Sequence, residues 1–82
     1  MWPRYWVAFD GKWQRRFRNA EEAKDWAARQ AIPDGRRWVF VVRIGLRGQR
    51  FVAAFPSEEE AEAQAWWEHQ KASIPPPDIA GP

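Results

Sequence analysis

The sequence predicts a small α+β domain built from two ββα units that form a tandem repeat. Residues 4–17 and 38–55 each have the pattern of two strands joined by a turn that contains glycine, Gly11 or Gly48. Each hairpin leads into an alanine-rich segment that contains Trp and favours a helix. The helix entries, Phe-Arg-Asn-Ala-Glu-Glu-Ala from Phe17 and Phe-Pro-Ser-Glu-Glu-Glu-Ala from Phe55, match at an offset of 38 residues.

A repeat this short cannot bury its own apolar face, so the two units should pack together. The simplest result is a four-stranded antiparallel sheet of order 2-1-3-4, with both helices packed on one face and a pseudo-twofold axis between strands one and three. A swapped dimer that exchanges the units is the alternative. The domain is predicted over residues 1–72, with units at about 4–31 and 38–72, and the Pro-rich residues 73–82 are predicted to be a disordered tail.

The first unit contains predicted strands over residues 4–9 and 12–17. Asp10-Gly11 between them suits a type I′ turn, because both residues tolerate positive φ. This pairing places Trp6, Ala8, Trp13 and Phe17 on one face with Arg4 and Arg15, and it places Tyr5, Val7, Phe9, Lys12, Gln14 and Arg16 on the other. A bulge at the turn would shift the faces of one strand relative to the other.

A helix is predicted from residue 20 to about 30, with Asn19 as its N-cap and Glu22 at the capping-box position. Ala23, Trp26 and Ala27 form its apolar stripe. Ser57 and Glu60 repeat the capping pattern, and they predict a second helix over residues 58 to about 72.

The second hairpin is the most apolar part of the chain. A turn at Arg47-Gly48 pairs Ile44 with Phe51 and Val42 with Ala53, which gives a clearly apolar core face. The opposite face carries Arg43 and Arg50 among Val39, Val41, Val52 and Ala54.

The residue inventory argues against an enzyme. The chain has one His, two Ser and no Cys or Thr, so it offers no nucleophile beside a base and no zinc ligand set. We expect neither a metal nor a cofactor. The sequence shows no signal peptide and no apolar run long enough to span a bilayer, so we expect a cytoplasmic protein without a membrane partner.

The charge is unevenly distributed and indicates a basic binding surface. Residues 1–50 carry 12 Lys and Arg against 5 Asp and Glu, whereas residues 51–82 carry one Lys against 6 acids. If both helices cover one face, the other stays open and can bind nucleic acid, because aromatic rings stack on bases and cations neutralise phosphates. The predicted nucleic-acid site consists of Tyr5, Phe9, Lys12, Arg16, Arg43, Arg47 and Arg50.

The alternative is a protein-interaction module, such as a small adaptor or a phage- or mobile-element-type modulator or inhibitor of a larger protein. Trp is enriched at binding hot spots, and Trp66 and Trp67 cannot both point into one core stripe. The predicted protein interface is therefore Trp2, Trp66 and Trp67. A homodimer through the open sheet face is compatible with either function.

Overall fold

A computed structural model describes residues 4–34, 36–56 and 59–74 of the chain. The elements in order are β1 (Arg4–Phe9), β2 (Lys12–Phe17), α1 (Ala20–Gln30), β3 (Val39–Gly45), β4 (Gly48–Phe55) and α2 (Glu60–Gln70), followed by a 3₁₀ turn over Lys71–Ser73. The four strands form one antiparallel sheet of order β2-β1-β3-β4. The predicted α+β class and strand order are confirmed.

The two helices pack on opposite faces of the sheet. On one face the α1 residues Ala23 and Ala27 are buried in a cluster with Val7, Val39 and Val41. On the other face the α2 residues Ala63 and Trp67 are buried in a cluster with Ala8, Phe40, Val42, Ile44, Ala54 and Ile74. Neighbouring residues of a strand point to opposite faces, so these clusters lie on the two sides of β3. The prediction that both helices cover one face is wrong.

The composition of β3 explains this arrangement. Its residues Val39, Phe40, Val41, Val42 and Ile44 are all buried. A strand that is apolar on both sides requires cover on both sides, as in sheets that lie between helical layers. The predicted pseudo-twofold axis, perpendicular to the sheet, would place both helices on the same face. Because α1 and α2 lie on opposite faces, they are not related by this axis, and the tandem repeat is not confirmed.

The first hairpin has the predicted turn but also a bulge. Asp10 and Gly11 have positive φ, at 55° and 76°. Ala8 pairs with Trp13 and Val7 pairs with Arg15, so Gln14 has no partner on β1. Beyond the bulge the faces are reversed: Phe17 and Arg15 lie on the α1 face, and Arg16 lies on the α2 face, contrary to the two-residue-turn prediction.

The second hairpin turns one residue earlier than predicted. Gly45 pairs with Gly48, so the turn residues are Leu46 and Arg47. The φ of Gly48 is 107°, a conformation that favours glycine. A bulge at Val52 then changes the register. As a result, the β4 residues before the bulge lie on their predicted faces. The last three residues, 53–55, each lie on the face opposite to the predicted one.

Helix ends follow the capping prediction at α1 but not at α2. The α1 bounds agree with the prediction, and the Glu22 backbone N–H donates to Asn19 Oδ1 at 3.0 Å. α2 begins at Glu60 with Glu59 as its N-cap, two residues later than expected. The predicted cap, Ser57, lies outside the described residues. Ile74, which the prediction assigned to the tail, is buried in the α2 core, and residues 75–82 also lie outside the described part.

Candidate nucleic-acid interface

Three predicted site residues form a row across the sheet on the α1 face. Tyr5 on β1 pairs with Arg43 on β3, and Arg43 pairs with Arg50 on β4. Tyr5 is half-buried at the margin of the α1 core, whereas both arginines are exposed. Arg47 lies in the adjoining β3–β4 turn and is also exposed. We call Tyr5, Arg43, Arg47 and Arg50 the basic strip.

The sequence places the strip where the α1 layer stops. Val39 and Val41 on this face of β3 lie under α1, and the next residue on the same face is Arg43. On the opposite face β3 stays apolar as far as Ile44, which is buried. At the hairpin end of the sheet, β3 therefore becomes polar and exposed on its α1 face at Arg43, whereas its α2 face is still buried at Ile44.

The two facing arginines have an unfavourable arrangement. Like charges directly opposite each other on antiparallel strands destabilise the pair. The ion pairs among the described residues join Glu21 to Lys24, Asp25 to Arg29, Asp10 to Arg37 and Glu68 to Lys71, and none involves the strip. Arg43 and Arg50 therefore have no carboxylate partner within the described part of the chain. An anionic ligand would relieve their repulsion.

Charges of both signs lie at the strip's end of the sheet. Arg18 is exposed directly after Phe17, whose partner on β1 is Tyr5, so it lies at the same end as the strip. Glu21 and Glu22 are in the first turn of α1, which directly follows β2 at the edge of the sheet opposite β4, and neither forms an ion pair with a strip residue.

Three predicted nucleic-acid residues lie away from the strip. Phe9 is at the other end of β1 and beneath α1, with its ring centroid 6.1 Å from that of Trp26. Lys12 is the partner of Phe9 and is exposed at that same distant end. Arg16 is on the α2 face, with its guanidinium 6.0 Å from the ring centroid of Trp6. The predicted seven-residue face is thus divided by α1 and by the bulge at Gln14.

Arg37 has a structural role at the opposite end of the sheet. Its Nη2 lies 3.2 Å from Asp10 Oδ2, and its guanidinium lies 4.8 Å from the ring centroid of Phe9. These contacts join the segment after α1 to the β1–β2 turn. Arg37 is therefore engaged at the end of the sheet opposite the strip.

The residues of the predicted protein interface also lie in different parts of the structure. Trp67 is only 3% exposed and packs against Trp13 and Phe40, so its assignment to an interface is wrong. Trp66 is 40% exposed, with its ring stacked on Trp38 at 5.6 Å. Trp2 lies outside the described residues. One tryptophan of the adjacent pair is therefore core and the other is surface, as the helix geometry requires.

Leu46 is a surface residue that the sequence prediction missed. The predicted turn at Arg47-Gly48 would put Leu46 on the core face with Ile44, but Leu46 is 82% exposed at the tip of the β3–β4 turn. Gly45 and Gly48 bracket Leu46 and Arg47, and this spacing could have identified the turn. An apolar side chain thus lies beside the basic strip.

The structure shows no metal cluster and no membrane-spanning helix in its described part. No group of three or more His, Cys, Asp or Glu side chains within residues 4–34, 36–56 and 59–74 could hold a metal ion. No helix in those ranges has the length and apolar character needed to cross a bilayer.

Comparisons with known proteins found no relative whose function could be compared with the basic strip. No protein-family model, no curated protein and no solved structure matches the chain. Its function is therefore inferred from its own residues.

Proposed function

We propose that this protein is a small, non-enzymatic module that binds nucleic acid through the basic strip. The observation that carries the proposal is the pair Arg43 and Arg50, which face each other across β3 and β4 without a carboxylate partner among the described residues. Guanidinium groups bind phosphate oxygens in bidentate geometry, so a phosphate between these arginines would turn their repulsion into attraction.

Tyr5 gives the strip an aromatic component. Tyr5 is partly exposed and directly opposite Arg43 in the sheet, so a base stacked on its ring would lie beside phosphates that contact the arginines. Base–aromatic stacking contributes roughly 1–3 kcal/mol per base. The strip spans two strand spacings, or about 10 Å, and is therefore short. We expect modest affinity with little dependence on base sequence.

The expected salt dependence follows from the number of cations. With Arg43, Arg47 and Arg50 each neutralising one phosphate, the slope of log K against log salt is about −2.7 for duplex DNA and about −2 for a single strand. A shallower slope would mean that fewer of the three arginines contact phosphate.

Titration of the intrinsic Trp fluorescence with a 12-nucleotide single strand and a 12-base-pair duplex, at three salt concentrations, tests the proposal. Replacement of Arg43, Arg47 and Arg50 with Ala should abolish binding. A matched control replaces the exposed residues Lys12, Arg29 and Arg36 with Ala, which removes the same charge elsewhere and should leave the slope unchanged. If the strip variant keeps the wild-type affinity and slope, the nucleic-acid proposal is refuted.

Trp66 favours a second candidate function, a protein-interaction module. Its exposed ring borders a groove of about 350 Å³ that is also lined by Glu62, Ala65 and His69. Exposed Trp residues are frequent binding hot spots. Under this alternative, Trp66→Ala weakens a protein complex whose affinity depends little on salt, and the strip variant binds that partner normally.

A further inference from the structure

The outer side of α2 carries the groove that borders Trp66. Its lining residues are Glu62, Ala65, Trp66 and His69, and all four are exposed. Their spacing along the helix, three or four residues from one turn to the next, places them on one stripe. Ala63 and Trp67 form the stripe of α2 that is buried against the sheet. We call the exposed stripe and its groove the α2 groove.

A stack of aromatic rings that extends from the core holds the Trp66 ring in place. The ring of the buried residue Phe40 lies 6.3 Å from that of Trp38, which in turn lies 5.6 Å from that of Trp66, with interplanar angles of 15° and 24°. His69 meets the Trp66 ring at 84°, with 6.2 Å between the centroids. Because these neighbours fix the orientation of the Trp66 side chain, a ligand that packs on it would lose little affinity in ordering it.

The unpaired charge around the α2 groove is negative. Glu60 and Glu62 are exposed, and neither belongs to an ion pair among the described residues. Lys71, which follows α2, is paired with Glu68 at 2.7 Å. The helix dipole stabilises acids in the first turn of α2, but it does not account for an exposed aromatic ring one turn after Glu62. A carboxylate and an aromatic ring four residues apart can both contact one cationic side chain.

We propose that the α2 groove binds an Arg or Lys side chain from a basic segment of a partner protein. The cationic group would lie between the Glu62 carboxylate and the Trp66 ring, while its apolar stem packs along Ala65. Residues 62 and 66 are separated by about 6 Å along the helix axis, a distance that one such side chain can span. Arg suits the groove better than Lys, because its planar guanidinium can stack on an indole ring and donate two hydrogen bonds to a carboxylate.

A basic partner segment belongs to the second candidate function, the protein-interaction module, and its binding does not depend on the basic strip. The strip lies on the α1 face of the sheet, whereas α2 packs on the opposite face. A nucleic acid on the strip and a basic segment in the α2 groove would therefore not compete for the same surface. A chain that uses both sites would join a nucleic acid to a basic protein.

Two-dimensional ¹H–¹⁵N NMR tests the α2 groove, because each of the seven Trp residues has an indole N–H and Trp66→Leu identifies the signal of Trp66. The probe is an acetylated peptide that alternates Arg and Gly, and the control peptide alternates Glu and Gly. The Arg peptide should shift the Trp66 signal, and the Glu peptide should not. Trp66→Leu keeps an apolar side chain beside Trp38 but removes the indole ring. It should weaken peptide binding, followed by the Ala65 and His69 backbone signals, roughly 2- to 30-fold, the range of a cation–π contact.

A matched pair of substitutions separates the groove from a general attraction between opposite charges. Glu62→Gln removes the carboxylate of the groove and should weaken binding roughly 1.4- to 5-fold, as expected for an exposed ion pair. Glu60→Gln removes the same charge two residues earlier, on another side of the helix, and should leave the dissociation constant nearly unchanged at physiological salt.

The proposal is overturned if the Arg peptide leaves the Trp66 signal unchanged, if the Glu peptide shifts it equally, or if Glu60→Gln weakens binding as much as Glu62→Gln. It is also overturned if dilution of the protein without peptide shifts the Trp66 signal, because a second copy would then fill the groove. The strip variant lacking Arg43, Arg47 and Arg50 should bind the Arg peptide at least as tightly as the wild type, and Trp66→Leu should bind nucleic acid normally. Failure at one site is therefore distinguishable from failure at the other.

Discussion

The facing arginines lead to a prediction about stability that requires no ligand. If Arg43 and Arg50 repel each other, then reversing the charge of either should stabilise the fold. With the guanidinium groups roughly 7 Å apart, Coulomb's law in water gives about 0.6 kcal/mol of repulsion, and screening at physiological salt reduces it to about 0.25 kcal/mol. Arg50→Glu converts this repulsion into attraction, so we expect a gain of about 0.5–1 kcal/mol.

A double-mutant cycle isolates this pair from other effects of the substitutions. Arg43→Glu and Arg50→Glu should each stabilise the protein, and the double variant should lose the gain because two like charges face each other again. The expected coupling free energy is about 1–2 kcal/mol at low to physiological salt, and it should fall to a few tenths of a kcal/mol at 1 M salt, where the Debye length is about 3 Å.

Thermal unfolding followed by circular dichroism is a suitable assay. For a domain of this size, the single variants should raise the midpoint by about 2–8 °C. A control cycle that combines Arg43→Glu with Arg36→Glu should show no coupling, since Arg36 lies in the turn after α1 and does not face Arg43. A coupling within about 0.3 kcal/mol of zero at low salt for the Arg43–Arg50 pair would refute the reasoning.

Three further predictions concern the core and the helix cap. Asn19→Ala removes the acceptor of the Glu22 N–H and should cost about 1 kcal/mol in urea denaturation, whereas Asn19→Asp should cost little; equal losses would mean that the cap does not matter. Trp67→Ala should cost about 3–5 kcal/mol because the side chain is buried, and the half-exposed Trp66 should cost clearly less when truncated, so similar losses would contradict the core assignment. The buried Trp6 Nε1 has no hydrogen-bond partner among the described residues, so in Trp6→Phe the removal of this N–H should offset part of the lost ring packing and keep the loss of unfolding free energy below about 1 kcal/mol; a loss above about 2 kcal/mol would contradict this offset.

Local signals in the sequence were sufficient for the element types and the strand order. Asp10-Gly11 fixes the first turn, and Asn19 fixes the start of α1, because each acts on backbone groups only a few residues away. The order β2-β1-β3-β4 gives every strand of the two joined hairpins antiparallel neighbours and keeps the apolar β3 away from the sheet edge. These features depend on short-range chemistry that a sequence pattern records directly.

The bulges at Gln14 and Val52 could not be located in the same way. Neither position has a residue type that demands a bulge, and each bulge reverses the faces of the residues beyond it. Arg16 therefore moved to the α2 face. The position of α2 was predictable in principle. Residues 39–42 are all apolar, so this part of β3 is apolar on both faces and requires cover on both sides of the sheet.

The location of the candidate site follows from the same strand. Helices can cover both faces of β3 only where the strand is apolar on both faces. On the α1 face the apolar residues end before Arg43, whereas on the α2 face they extend to Ile44. An acid on either neighbouring strand would have made Arg43 an ordinary surface ion pair. Its neighbours are instead Tyr5 and Arg50, so the sheet holds two cations and a ring in register at an energetic cost, and no carboxylate among the described residues pairs with either cation. Local violations of this kind are expected where a surface is shaped for a ligand rather than for stability, and the positive charge of the two arginines would favour an anion there, as the proposed function requires.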